Sequence, residues 1–96
     1  MITKEEILKS LAEGKNELQR RFQVRSLALF GSYARGEQRS DSDVDILVDV
    51  DPSIGLDFVT LADRIEKILG THVDLVSTRA VNKKAWEFIK PELIYV

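Results

Sequence analysis

The segment from Asp43 to Val50 alternates apolar and polar side chains with a period of two residues. One side of it carries only β-branched residues, namely Val44, Ile46, Val48 and Val50. The other side carries Asp43, Asp45, Leu47 and Asp49. A period of two is typical of a β-strand with one face in the core and the other in polar surroundings. The segment therefore predicts a strand that bears carboxylates on one face.

Two further strands are predicted from short apolar runs. The first lies within Val24 to Phe30 and ends at Gly31, which supplies the exit turn. The second spans His72 to Val76 and places Asp74 on the face opposite the valine and leucine that precede and follow it. Asp74 is thus a third carboxylate carried by a strand.

Apolar residues at helical spacing predict three helices, over Lys4 to Phe22, Leu56 to Leu69 and Ala80 to Lys90. Thr3 and Glu6 have the spacing of a capping box at the start of the first helix. Gly14 lies inside that helix at a cost of about 1 kcal/mol relative to alanine, so the sequence allows a break there. Two apolar features, the Trp86 side chain and the tail from Leu93 to Val96, fit either the core or a contact with a partner or a second copy.

Composition limits the classes of function. A chain of 96 residues, 44% of them apolar, has room for one domain with one small core, expected to span residues 1–96. The net charge of -2 gives no overall basic field, so direct nucleic-acid binding is not expected. Cysteine is absent and His72 is the only histidine, which excludes thiolate chemistry and a zinc site built from several histidines.

A secretory signal or membrane span is not predicted either. The first residues, Met1 to Glu6, lack the apolar core of a signal peptide, and no run reaches transmembrane length. A cytoplasmic location is therefore expected.

The turn Gly31-Ser32 and the acidic strand face together suggest phosphate chemistry. Backbone amides in a glycine turn can bind phosphate, and the Ser32 hydroxyl adds a donor. Carboxylates two residues apart on a strand, Asp43 and Asp45, lie about 6 to 7 Å apart at the backbone and can share a pair of Mg²⁺ ions. Asp74 can complete the second metal site and accept a proton from an attacking hydroxyl.

Gly31-Ser32, ten intervening residues and Asp43-Val44-Asp45 match the signature of the DNA polymerase beta-like nucleotidyltransferase superfamily. When the segments Tyr33 to Gly36 and Ser40 to Val48 are added to this signature, the chain resembles the minimal nucleotidyltransferase (MNT) antitoxin branch of that superfamily. Four fixed residues at this spacing occur by chance in about one chain of this size in a thousand.

The resemblance implies an α/β (α+β) fold, with a small mixed sheet and helices packed mainly on one side. It also implies that Gly31 and Ser32 contact the triphosphate, and that Asp43, Asp45 and Asp74 are catalytic carboxylates that bind Mg²⁺, two ions in all. Arg35 and Ser42 are further candidates for nucleotide binding, although Arg35 fits a solvated loop equally well and Ser42 a loop position.

The biology implied by the resemblance is specific. Members of this branch are similar to antitoxins of HEPN-domain toxins, some of which transfer AMP from ATP onto a tyrosine of the toxin. Since 96 residues leave no room for the acceptor domain of larger relatives, a protein acceptor is favoured over a small molecule. An antitoxin that neutralises its partner by binding alone, and a small-molecule transferase resembling those that modify aminoglycosides, remain alternatives.

The acidic strand has two other interpretations. Asp41, Asp43 and Asp45 imitate the start of a calcium loop, but Ile46 stands where that loop needs glycine and Pro52 where it needs glutamate. The calcium loop is therefore excluded. The acids could also simply discourage pairing at a sheet edge, although the upstream Gly-Ser turn argues against that.

Overall fold

Four strands form one mixed sheet in the computed structural model, which describes residues 2–96. The strands are β1 (Val24–Phe30), β2 (Val44–Val50), β3 (Val73–Ser77) and β4 (Ile94–Tyr95). The order across the sheet is β3-β2-β1-β4, with β1 antiparallel to both β2 and β4, and β2 parallel to β3. The predicted mixed sheet is confirmed. The fourth strand was not predicted, because a two-residue strand leaves no alternation to detect.

Four α-helices accompany the sheet: α1 (Lys4–Phe22), α2 (Gly31–Arg35), α3 (Asp57–Leu69) and α4 (Lys83–Ile89). The first and third match the predicted helices to within a residue. The predicted helix from Ala80 to Lys90 is too long at its start, because the Asn82 side chain accepts a hydrogen bond from the Ala85 amide at 2.7 Å and caps α4 there. Short 3₁₀ turns flank it, Thr78–Ala80 before and Lys90–Glu92 after.

The first helix begins with the predicted capping box. The Glu6 amide donates to the Thr3 hydroxyl at 3.1 Å, and the Thr3 amide donates to Glu6 Oε1 at 3.3 Å. The helix runs without a break through Gly14. A Cβ atom at Gly14 would lie 3.0 Å from Ile68 Cδ1, so glycine allows α1 and α3 to approach closely.

The core lies between the sheet and the pair α1 and α3. The β-branched face of β2 is completely enclosed, with exposures from 0 to 3% along Val44, Ile46, Val48 and Val50. This face belongs to one apolar cluster. The cluster also contains Leu27 and Leu29 of β1, Ile7, Leu11 and Leu18 of α1, and Leu61 and Ile65 of α3. The predicted alternation of β2 is thus confirmed. Burial of this continuous apolar surface is the main force that fixes the sheet against the helices.

Beside this cluster, α1 and α3 are joined by a two-pronged ion pair. Arg64 Nε and Arg64 Nη2 each donate to a Glu17 carboxylate oxygen at 2.8 Å. The hydrogen bonds from Arg64 hold the pKa of Glu17 below its ordinary value.

None of the helices in residues 2–96 combines the length and the apolar character that a membrane span requires.

Candidate active site

Strand register brings the predicted carboxylates to one edge of the sheet face opposite α1 and α3. Asp45 on β2 is the lateral neighbour of Asp74 on β3, because the two strands are parallel and these residues are paired. On its other side, Asp45 pairs with Phe30, the last residue of β1. Asp43 lies directly before β2, two residues from Asp45. Three acids separated by up to 31 positions in the sequence are thus neighbours in space.

The turn after β1 is packed against Asp45. Gly31 follows Phe30 directly, has a positive φ of +76° and is buried. A Cβ atom added at Gly31 would overlap a carboxylate oxygen of Asp45 and lie 2.9 Å from its Cγ. Glycine is required here for two reasons, since the backbone lies in the left-handed region and the space of a side chain is taken by Asp45. The predicted phosphate turn and the predicted carboxylate are therefore in direct contact.

The electrostatics of Asp45 distinguish it from the other acids of the chain. Burial, followed by the negative charges of Asp74 and Asp43, raises the pKa of Asp45 from 3.8 to about 6, and the nearby Arg35 guanidinium opposes this rise. A carboxylate that is desolvated and surrounded by like charges is poised to accept a cation. The donor set consists only of oxygen atoms, which is the chemistry that Mg²⁺ prefers.

The three carboxylates are neighbours but do not enclose a common point. Among residues 2–96, no group of three or more acidic or histidine side chains is gathered closely enough to hold a metal ion by itself. The charges still act on one another, because Coulombic forces extend beyond the radius of a coordination shell. An Mg²⁺ ion commonly takes one or two carboxylates and fills its other positions with water and substrate phosphate oxygens, and the acids fit that arrangement.

One acidic residue at the site was not predicted. Glu92, in the turn Lys90–Glu92, accepts a hydrogen bond from the Gly31 amide at 3.0 Å and one from Arg35 Nη1 at 2.9 Å. Its carboxylate also raises the pKa of Arg35, chiefly through that hydrogen bond. The local sequence around Glu92 offers no sign of this role, because 61 positions separate it from Gly31 and only the fold brings them together.

Arg35 lies at the end of α2 on the surface and forms a second, longer ion pair, in which its Nε is 3.5 Å from Glu37. The guanidinium is near enough to Asp45 to lower its pKa, so it belongs to the same cluster of charges.

The two predicted serines occupy different surroundings. Ser32 is the second residue of α2 and is partly buried, and its carbonyl accepts a hydrogen bond from the Glu37 amide at 2.9 Å. The Ser42 hydroxyl accepts a hydrogen bond from the Arg39 amide at 2.8 Å, while the Ser42 amide donates to the Arg39 carbonyl at 3.0 Å. Ser42 thus closes the turn that leads the chain into Asp43.

A surface cavity of about 440 Å³ is found elsewhere, where α3 ends and β3 begins. It is lined by Asp63, Glu66, Lys67, Thr71 and His72. None of the predicted site residues lines it. Because the charge cluster, the buried glycine turn and the perturbed pKa all occur around Asp45, we take that cluster as the candidate active site.

Known proteins resemble this chain over almost all of its length. The family model of the nucleotidyltransferase domain matches residues 11–95. The protein adenylyltransferase MntA of Thermococcus cleftensis is 45% identical over 98 aligned residues, which cover the whole of this chain and 98% of that protein.

Solved structures agree with these relatives. A candidate minimal nucleotidyltransferase has 35% sequence identity and a TM-score of 0.78, with 97% of this chain and 95% of that one covered. A toxin–antitoxin crystal structure with AMP-PNP gives 28% identity and a TM-score of 0.53, covering 84% of this chain and 61% of the matched chain.

Proposed function

The chain belongs to the nucleotidyltransferase domain family, and we propose that it transfers AMP from ATP to a hydroxyl group of a partner protein. One observation carries this proposal. The Gly31 turn lies against Asp45, which has Asp74 as its lateral neighbour, so the turn proposed to bind phosphate is in contact with the acid proposed to bind the cation.

Binding of the triphosphate falls to the turn that begins at Gly31. The Gly31 amide and the Ser32 hydroxyl would donate hydrogen bonds to phosphate oxygens, and Arg35 would neutralise part of their charge. Ser42 would act at the other end of the loop, where its turn orients Asp43. The absence of a side chain at Gly31 lets the Asp45 carboxylate lie against the backbone of the turn, so a phosphate bound to that turn would lie beside this acid.

The acids would bind Mg²⁺. Asp43 and Asp45 would share two ions, and Asp74 would contribute to the second, with triphosphate oxygens completing both shells. When bound, the ions neutralise charge on the triphosphate and align the attacking and leaving oxygens. The raised pKa of Asp45 supports this assignment, since a cation would relieve the repulsion among the three carboxylates.

The reaction forms one bond and breaks one. The oxygen of the acceptor hydroxyl bonds to the α-phosphorus of ATP, the bond from that phosphorus to the bridging oxygen breaks, and pyrophosphate leaves with the electron pair. The hydroxyl proton passes to the Asp74 carboxylate, which lies on the neighbouring strand at the edge of the cluster. Asp43 and Asp45 would hold the Mg²⁺ that neutralises the α-phosphate, because without a cation their own charges would repel it.

For the acceptor we propose a tyrosine of a HEPN-domain toxin, which would make this chain the antitoxin of a toxin–antitoxin pair. The chain would act in the cytoplasm, with residues 1–96 as a single minimal domain. The relative named a protein adenylyltransferase supports a protein acceptor, and the likeness to a toxin–antitoxin structure with AMP-PNP supports both the toxin partner and ATP.

The test is transfer of label from ATP labelled in its α-phosphate to the proposed HEPN-domain toxin, in the presence of Mg²⁺. We expect label on the toxin with the natural protein and a loss of at least about a thousandfold with Asp43→Asn/Asp45→Asn, because oriented charge stabilisation contributes on that scale. Asp49→Asn, on the same strand face but away from the cluster, is the matched control.

The same variants separate catalysis from neutralisation by binding. A folded Asp43→Asn/Asp45→Asn protein that still protects cells from the toxin would overturn the enzymatic account. Label that moves to a small molecule and to no protein would overturn the proposed acceptor.

A further inference from the structure

Glu92 occupies donors that the proposed function assigns to the triphosphate. One of its carboxylate oxygens accepts the Gly31 amide hydrogen at 3.0 Å, and the other accepts a hydrogen bond from Arg35 at 2.9 Å. The carboxylate is largely shielded from solvent, with 19% of the side chain exposed. An anionic group is therefore already seated between a backbone amide and a guanidinium at the edge of the site.

The position of Glu92 also conflicts with a bound nucleotide on grounds of charge. Gly31 is in contact with Asp45, so a carboxylate bonded to the Gly31 amide lies close to Asp45. A triphosphate that reached the Gly31 amide would have to share a single N–H donor with Glu92 and would be repelled by it. Two anions cannot both be satisfied by that donor.

We propose that Glu92 is a determinant of nucleotide affinity, an internal carboxylate that competes with the triphosphate for the Gly31 amide and the Arg35 guanidinium. This inference rests on the proposed function. Nucleotide binding then requires Glu92 to leave both donors, after which they are free to bind phosphate oxygens.

Displacement of Glu92 is feasible because the residue lies on a short element. The turn Lys90–Glu92 is a single 3₁₀ turn, and the strand that follows it, β4, has two residues. Apart from β-sheet pairing, the tail beyond it is held by the Val96 amide, which donates to the Leu27 carbonyl at 3.1 Å, and by Lys15 Nζ, which donates to the Val96 carbonyl at 2.7 Å. A rotation of the Glu92 side chain would release the donors without breaking these bonds.

The test compares the affinity of the full chain for ATP with Mg²⁺, by titration calorimetry, in the natural protein and in Glu92→Gln. The glutamine keeps the shape but loses the charge, and a charge-assisted hydrogen bond is about twice as strong as a neutral one. We therefore expect ATP to bind at least about fivefold more tightly to Glu92→Gln. The matched control is Glu37→Gln, since Glu37 also pairs with Arg35 but does not contact the Gly31 amide, and we expect less than about a twofold change there.

Each outcome decides the matter. A thermal transition first shows that Glu92→Gln is folded. If the folded variant then binds ATP no more tightly than the natural protein, the competition is overturned and Glu92 is a support for the turn. An equal gain in Glu37→Gln also overturns it, because general repulsion would then suffice. If neither the natural protein nor Glu92→Gln binds ATP, the proposed function fails and this inference falls with it, whereas binding only by Glu92→Gln supports both.

Discussion

The substitution Asp45→Asn tests whether the charge of the candidate site destabilises the folded protein. Burial and the charges of Asp74 and Asp43 raise the pKa of Asp45 from 3.8 to about 6. A rise of that size corresponds to about 3 kcal/mol at full strength, since each pKa unit is 1.36 kcal/mol. The side chain is only partly buried, so solvent screening reduces this to about 1 to 2 kcal/mol. Asparagine has the same shape without the charge and should therefore stabilise the protein by that amount.

The gain has a defined dependence on pH. The folded protein binds the Asp45 proton more tightly than the unfolded chain, so the stability of the natural protein falls as pH rises from about 4 to about 6. Above about pH 7 the cost is constant, and below about pH 4 it disappears. Asp45→Asn lacks this titration, so its advantage should be complete at pH 8 and absent at pH 4.

Urea unfolding and thermal melting of the two proteins at pH 8 and at pH 4, without Mg²⁺ or nucleotide, measure the effect. For a domain of this size we expect the melting temperature of Asp45→Asn at pH 8 to be about 5 to 10 °C higher. Asp49→Asn makes the same chemical change four residues along the same strand face and serves as the control. The reasoning is refuted if Asp45→Asn is no more stable at pH 8, if its gain persists at pH 4, or if Asp49→Asn gains equally.

Three further predictions concern the packing around the site and the helices. Gly31→Ala should lower the free energy of unfolding by more than about 2 kcal/mol, because a positive φ and overlap with a neighbouring carboxylate act together. The control Gly36→Ala, with a φ of +73° in open space, should lower it by only about 1 kcal/mol. Equal losses in urea unfolding would contradict this. Gly14→Ala should leave the free energy of unfolding nearly unchanged, because the helical gain of about 1 kcal/mol is offset by the contact with Ile68 Cδ1 at 3.0 Å. Ile68→Val removes that atom. The double variant should therefore be more stable than the sum of the two single effects. Strict additivity would show that the contact carries no strain. Thr3→Ala should cost about 1 kcal/mol by removing the capping box, and an unchanged melting temperature would disprove the role of that cap.

Elements with a strong local period were predicted almost to the residue. The first and third helices and the strand β2 are examples, because an apolar stripe at 3.6 or 2 residues has one orientation that buries it. The last helix was placed less well, since the Asn82 cap overrode a pattern that continued on either side of it. The strand β4 was missed because its two residues are held by pairing with β1 rather than by their own pattern.

The same division applies to the site. The amino-acid sequence alone determined which residues could form it, because the Gly31-Ser32 turn and the acids of β2 have a spacing that few chains share, and strand alternation put Asp43 and Asp45 on the face away from the core. Only the tertiary structure decided that Asp74 lies beside Asp45, that Asp45 fills the space where Gly31 lacks a side chain, and that Glu92 holds the Gly31 amide. These three contacts join residues 14 to 61 positions apart, and such distances are closed by burial of the common core rather than by any local preference of the chain.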